Sequence, residues 1–213
     1  MPTPARTSLE GILKAGRAII ETDGIDGLTM QAIADRVGVR APSLYKRIRS
    51  RNQLLRLVAN DAAAELTGEL DTAATTGDAR RDLAALARTF RDFARRNPGA
   101  YSLLFARLPD DARADPEWSV KASAGLLDAT ERLAGTADAL EAARTVVAWA
   151  NGFIAMELAG AFRLGGDVDR ASGRRSRRSQ PGIDVTIRAT RSPIRTRATS
   201  WTRVCAAGST RRV

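Results

Sequence analysis

Residues 29–48 read Thr29-Met-Gln-Ala-Ile-Ala-Asp-Arg-Val-Gly-Val-Arg-Ala-Pro-Ser-Leu-Tyr-Lys-Arg-Ile48, and this stretch decides the fold. Met30, Ile33, Ala34 and Val37 recur at i, i+3, i+4 and i+7, one face of a helix. Thr29 stands where a hydroxyl can accept a bond from a free N–H of the first turn. Gly38 follows the last periodic residue, the position that favours a left-handed backbone. Pro42 sits in the first turn of a second helix, where a missing N–H costs nothing. Leu44 and Ile48 point inward at i, i+4. Arg40, Ser43, Tyr45, Lys46 and Arg47 remain for the other faces. Two helices joined by a glycine turn form a helix-turn-helix, whose second helix enters the DNA major groove. A plain helical hairpin with a solvated basic face is the competing reading of these residues alone.

The flanking sequence extends the pattern. Leu9, Ile12, Leu13, Ile19 and Ile20 make an apolar stripe over Ser8 to about Thr22. Asp23-Gly24-Ile25-Asp26-Gly27-Leu28 predicts a turn. Ser50-Arg51-Asn52-Gln53 is a capping box, serine and Gln53 satisfying each other's backbone donors, that opens a helix to about Leu70. Three helices therefore precede a linker helix. Residues 1–49 form a head and 50–70 the linker, while residues 1–7 have no pattern.

Charge is segregated along the chain. Residues 1–60 hold ten bases and five acids, residues 61–169 twelve bases and eighteen acids, and residues 170–213 twelve arginines and one acid, Asp184. A basic head on an acidic body suits a partner with phosphates at one end only. The sequence has no histidine and one cysteine, Cys205. This removes the commonest general base, any Cys/His zinc site and any internal disulfide, so neither a metal nor a cofactor is expected and a reducing cytoplasm fits. No hydrophobic leader or membrane span is evident. An enzyme would have to rely on carboxylate pairs such as Asp110-Asp111 or Asp167/Asp169, which read as solvated turn residues.

From residue 71 to 166 the pattern is helical throughout. After a loop at Thr72–Asp78, Asp78 caps a helix to about Asn97 carrying Leu83, Leu86, Ala87, Phe90 and Ala94. Tyr101 to Phe105 form a short apolar helix. Glu117 to about Ala134 carries Trp118, Leu126 and Leu127. Ala137 to about Leu164 is apolar nearly all round, so burial on more than one side is expected. The fold class is all-α, a three-helix head plus a helical body.

Leu-Thr-Met-x-x-Ile-Ala-x-x-Val-Gly-Val, then Ser-Leu-Tyr-Lys-x-Ile and Arg-Ser-Arg-x-x-Leu-Leu, span the head. Together they resemble the tetracycline-repressor (TetR) family of bacterial transcription regulators. Arg40 replaces a frequent Ser or Thr cap, and Arg47 a frequent histidine or aromatic. Trp149-Ala-Asn151-Gly, with Tyr101-Ser-Leu-Leu-Phe105 upstream, is similar to a class of TetR C-terminal domain with a Trp-x-His-Gly motif; Asn151 takes the place of its histidine.

The resemblance implies a regulator, most often a repressor released by a small lipophilic effector. It also implies a homodimer on a palindromic operator in double-stranded DNA. Expected DNA contacts are Thr29, Arg40, Ser43, Tyr45, Lys46, Arg47 and Arg51. Expected cavity residues are Phe90, Tyr101, Leu104, Phe105, Trp118, Leu127, Trp149, Asn151, Phe153 and Met156, with Glu157 and Arg144 as further polar contacts; for the apolar ones, plain core packing is the rival reading.

The family would place one more amphipathic helix after residue 169. Residues 167–213 are instead rich in Arg, Ser, Thr, Pro and Gly, with Pro181 and Pro193 as breakers. Composition predicts disorder there. An out-of-frame gene end, a basic arm adding phosphate contacts and an inert tail all stand open. Without the last helix, dimerisation is expected to be weakened or rearranged. Non-specific coating of DNA through the basic tail is the alternative function.

Overall fold

The computed structural model describes residues 8–166 and a short helix at 168–171. These contain helices and turns and no strand. The tail readings for 172–213 lie outside the described residues.

The first helix, α1, runs Leu9–Gly27, capped by Ser8 Oγ accepting from Gly11 N at 3.0 Å. It reaches five residues beyond the expected end. The expected turn survives inside it as a kink at Gly24, where φ is 71° and a side chain would be strained. Next comes α2, Met30–Val37, with Thr29 Oγ1 accepting from Ala32 N at 3.0 Å and Gly38 left-handed at φ 72°. The next helix, α3, is only Ala41–Leu44. The expected rod to Arg47 is shorter than its pattern suggests. Arg40 offers no side-chain cap at its start. At its end, Arg47 N and Ile48 N both donate to Leu44 O, closing it in turns.

Helix α4, Arg51–Ala73, passes from head to body. The capping box at its start has its serine half as expected, and only the return bond from Gln53 falls one residue earlier. Ser50 Oγ accepts from Gln53 N at 3.1 Å, while Gln53 Oε1 accepts from Arg49 N at 2.7 Å. Its first half shares a core with α1–α3, in which Ile12, Leu28, Ile33, Leu44, Ile48 and Leu54 are fully buried. Each such side chain contributes about 1.5–3 kcal/mol of transfer free energy.

The body adds α5 (Ala79–Arg96), α6 (Pro98–Phe105), a single 3-10 turn (Asp110–Ala112), α7 (Pro116–Ala134) and α8 (Ala139–Leu158). A last turn of helix, α9, covers Val168–Ala171. Asp78 Oδ1 accepts from Arg80 N and Arg81 N, capping α5 as its sequence predicts. Helix α7 packs against α4, α5 and α8. A second core gathers Ala62, Leu66, Phe93, Ala94, Ala100, Tyr101 and Ile154.

Helix α8 departs from expectation twice. It ends at Leu158, because Gly160 turns left-handed (φ 62°) and donates its N–H to Glu157 O. It is also buried on one side only. Ala139, Ala143, Ala150 and Ile154 face inward, while Leu140, Val147, Trp149, Met156 and Leu158 are exposed. Apolar periodicity all round a helix cannot say whether the outer side is covered by its own chain.

Candidate nucleic-acid interface and body cavity

The head presents its polar side chains around α3. Burial of Leu44 and Ile48 fixes the inner side of the segment, and Arg40, Ser43, Tyr45, Lys46 and Arg47 are all exposed. Tyr45 is 52% exposed, so it is not a packing residue. Between residues 36 and 51 there are six bases and no acid. Arg36 and Arg49, absent from the expected contacts, are exposed in the same run, and the run itself was the signal for them. The acid just before it, Asp35, accepts from Gln31 Nε2 at 2.7 Å.

Two expected contacts have local duties. Thr29 is exposed but its hydroxyl oxygen already caps α2. Arg51, expected at a phosphate, has a guanidinium that braces the α1–α2 turn through two of its nitrogens. Nε donates to Leu28 O and Nη2 to Ile25 O, both at 2.7 Å. Ile25 and Leu28 lie at the C-terminal end of α1, after the Gly24 kink, where carbonyls run short of backbone donors, and the guanidinium supplies them.

The body holds a cavity of about 240 Å³ that opens to solvent beside Phe105 and Val147. Its walls are Leu66 and Leu70 of α4, Leu83, Leu86 and Phe90 of α5, Leu104 and Phe105 of α6, Trp118 and Leu126 of α7, and Val146 and Val147 of α8. Between these stand the small residues Ala63, Ala87, Ala114, Ala122 and Ala150. The lining has no charged side chain, and its hydroxyls are those of Ser119 and Ser123. Ser123 Oγ donates to Ser119 O at 2.7 Å, so its proton is engaged.

Phe90, Leu104, Phe105 and Trp118 therefore line the cavity, and the other expected residues lie outside it. Tyr101 is buried in the second core, edge-on to Phe90 at 5.8 Å between ring centroids. Its hydroxyl donates to Asn151 Oδ1 at 2.9 Å, and burial pushes its pKa up. Asn151 in turn donates Nδ2 to Val147 O at 3.0 Å, so the residue in the histidine's place ties α8 to α6. Leu127 is half-buried elsewhere on α7. Trp149 and Phe153 flank a crevice of about 10 Å³ beside Arg91, and Met156 is exposed. Glu157 accepts from the buried Arg91, which also pairs with Asp169 at 2.8 Å. Arg144 pairs with Glu141 on the surface. The alanines and serines were missed because the sequence reading favoured large side chains, and an opening forms where side chains are small.

Of the carboxylates considered for catalysis, Asp167 lies outside the described residues, and Asp110, Asp111 and Asp169 are engaged structurally. Asp111 accepts from Asn52, and Asp110 pairs with Arg113. Among the described residues no group of acids, histidines or cysteines could hold a metal ion. No described helix is long and apolar enough to cross a membrane.

Residues 12–58 match the family model of bacterial regulatory proteins of the tetR family. Residues 83–175 match that of the tetracyclin repressor-like C-terminal domain. An uncharacterised HTH-type transcriptional regulator of Mycobacterium tuberculosis is 32% identical over 117 residues, 54% of this chain and 52% of its own. The chain thus spans about half the length of the curated relatives it matches. The solved structure of SCO4313, described as a regulatory protein, is similar at a TM-score of 0.64 and 27% identity, over 76% of this chain and 90% of that one. BioQ, solved with its double-stranded DNA operator, shares the fold at a TM-score of 0.56 and 24% identity, over 71% and 86% of the two chains.

Proposed function

The chain belongs to the tetR family of bacterial regulatory proteins, and from that membership we propose that it regulates transcription by binding double-stranded DNA through its head. The observation that carries this is the exposed basic run from Arg36 to Arg51 around α3, with no acid in it. Ser43, Lys46 and the ends of Arg40 and Arg47 reach base edges and phosphates in the major groove, and Tyr45 donates its hydroxyl to a phosphate. Thr29 lies beside the phosphate nearest the start of α2. Arg51 holds the turn that orients α2, with Nη1 left for a phosphate.

The partner of the body is a small, uncharged, lipophilic effector. A lining without a charged side chain, and with few polar groups, gives an ionised ligand little to offset its lost hydration. Bound effector releases the repressor by favouring a body geometry in which the two heads no longer match the operator, which requires different affinities for the two states. The second head comes from a second copy, docked on the exposed apolar side of α8. The contact is weak, because the further long helix that the family would place beside α8 has no counterpart in the sequence. A cytoplasmic location follows from this role.

Selection of bound duplexes from a random pool tests the reading. Enrichment of a palindrome with half-sites about 34 Å apart, or a multiple, is the expected result. Binding without enrichment of any sequence would favour the non-specific coat, and no binding would overturn DNA recognition altogether.

A further inference from the structure

Between α6 and α7 the chain threads the boundary of the two cores. Leu103 and Ala112 are buried in the head's core, while Leu104 and Phe105, one and two residues on from Leu103, face the cavity. Ala114 touches both, packing on the head's core and lining the cavity. A change in the cavity walls therefore meets the head within a few residues.

Besides the buried Ala112, polar groups clasp this segment to α4. Asp115 pairs with Arg56, and its Oδ2 accepts from Asn60 Nδ2 at 2.6 Å. The backbone N–H of Asp115 donates back to Asn60 Oδ1 at 2.8 Å. One turn nearer the head, Asn52 Nδ2 donates to the Asp111 carboxylate at 3.0 Å. Asp115 also stands at the N-cap of α7, where an aspartate ordinarily caps its own helix. Here it makes no side-chain cap bond. Its carboxylate is turned across to α4 instead, and the Asn60 and Arg56 donors hold its pKa below the usual value.

Helices α4 and α7, packed against each other, both contribute walls to the cavity, with Leu66 and Leu70 on one and Trp118 and Ala122 on the other. Spreading these walls at the cavity pulls on the clasp at the head end. A polar contact still partly open to solvent contributes modestly to stability, which suits a contact that must yield.

We propose that the Asp115–Asn60–Arg56 clasp is the joint through which cavity and head sense each other, with Asp115 as the positioning residue. This rests on the DNA-binding reading above. Coupling is reciprocal, so DNA at the head must be felt at the cavity.

The test uses the full chain with Trp149→Phe and Trp201→Phe, leaving Trp118 in the cavity wall as reporter. The selected duplex is titrated while Trp118 emission and bound DNA are followed separately. Emission should shift on DNA binding. With Asp115→Ala or Asn60→Ala, DNA affinity should stay within about fivefold, the most an exposed pair usually carries, while the emission response falls by more than half. Thermal melting of each variant guards against misfolding. An unchanged response in both folded variants, or no response in the parent, would overturn the joint. Failure of the parent to bind any duplex would overturn the DNA-binding reading as well.

Discussion

The head closes its core within the chain, and the body does not. In the head, α1 to α4 bury most of their large apolar side chains, Leu9 at the start of α1 being an exposed one, and the rest of the exposed surface is largely polar or basic. In the body, Trp149, Met156 and Leu158 are exposed on α8, Trp149 by 54%, and Val120 on α7 by 72%. Exposed apolar side chains of this size are what an interaction face is made of. The head has the closed core of the two, and the body carries the face proposed above for a second copy. Charge is divided the same way, with the bases in excess in the head and the acids in the body.

The sharpest way to break this contrast is inside the head. Leu44→Ala removes a fully buried anchor of α3, and should cost about 2–5 kcal/mol in urea unfolding and abolish DNA binding. Next is Gly99→Ala, where a Cβ would stand 2.4 Å from Ile20 O. The head meets α6 there, with Glu21 accepting from Gly99 N and Ala100 N. The expected loss is about 1–3 kcal/mol. Gly68→Ala on α4 is the control, since nothing lies within 4 Å of its Cβ position, and should stabilise by about 0.5–1 kcal/mol.

Within the body, Asp82 is buried and its pKa is lowered by Thr76 Oγ1 and N, then by Arg132. A carboxyl lowered in the fold stabilises it above the unfolded value of 3.8 and loses that contribution as pH falls through the folded value. Acid melts should therefore show Asp82→Asn less stable than the parent at neutral pH and the gap narrowing below pH 3.8. The smallest effect on folding belongs to Trp149→Glu, within about 0.5 kcal/mol for the monomer. Sedimentation should nonetheless show less association, and an unchanged association constant would remove α8 as the contact face.

The sequence made the head legible because its signals are local. Thr29, Gly38, Pro42 and Ser50 each act on backbone within four residues, and each stands where the pattern put it. The kink at Gly24 blurred one helix end, and α3 closed early where Arg47 N and Ile48 N both turn back to Leu44 O. The body's helices were equally legible, but its cavity was not. Phe90 and Trp118 line it, while Tyr101, on an equally apolar helix, packs behind it. Periodicity identifies the inward face of a helix, yet an opening depends on which small residues oppose each other across five helices. Trp149 and Met156 were misplaced for a related reason. An apolar side chain meant for another molecule has the same sequence signature as one meant for the core.

Salt dependence tests the central claim most directly. Affinity for a selected duplex should be measured across a salt series for the parent and for Lys46→Ala/Arg47→Ala. If α3 and its flanking bases lie against DNA, the double variant binds every duplex more weakly, and the slope of log K against log salt shrinks by about two. Equal affinity and an equal slope in the two proteins would contradict it.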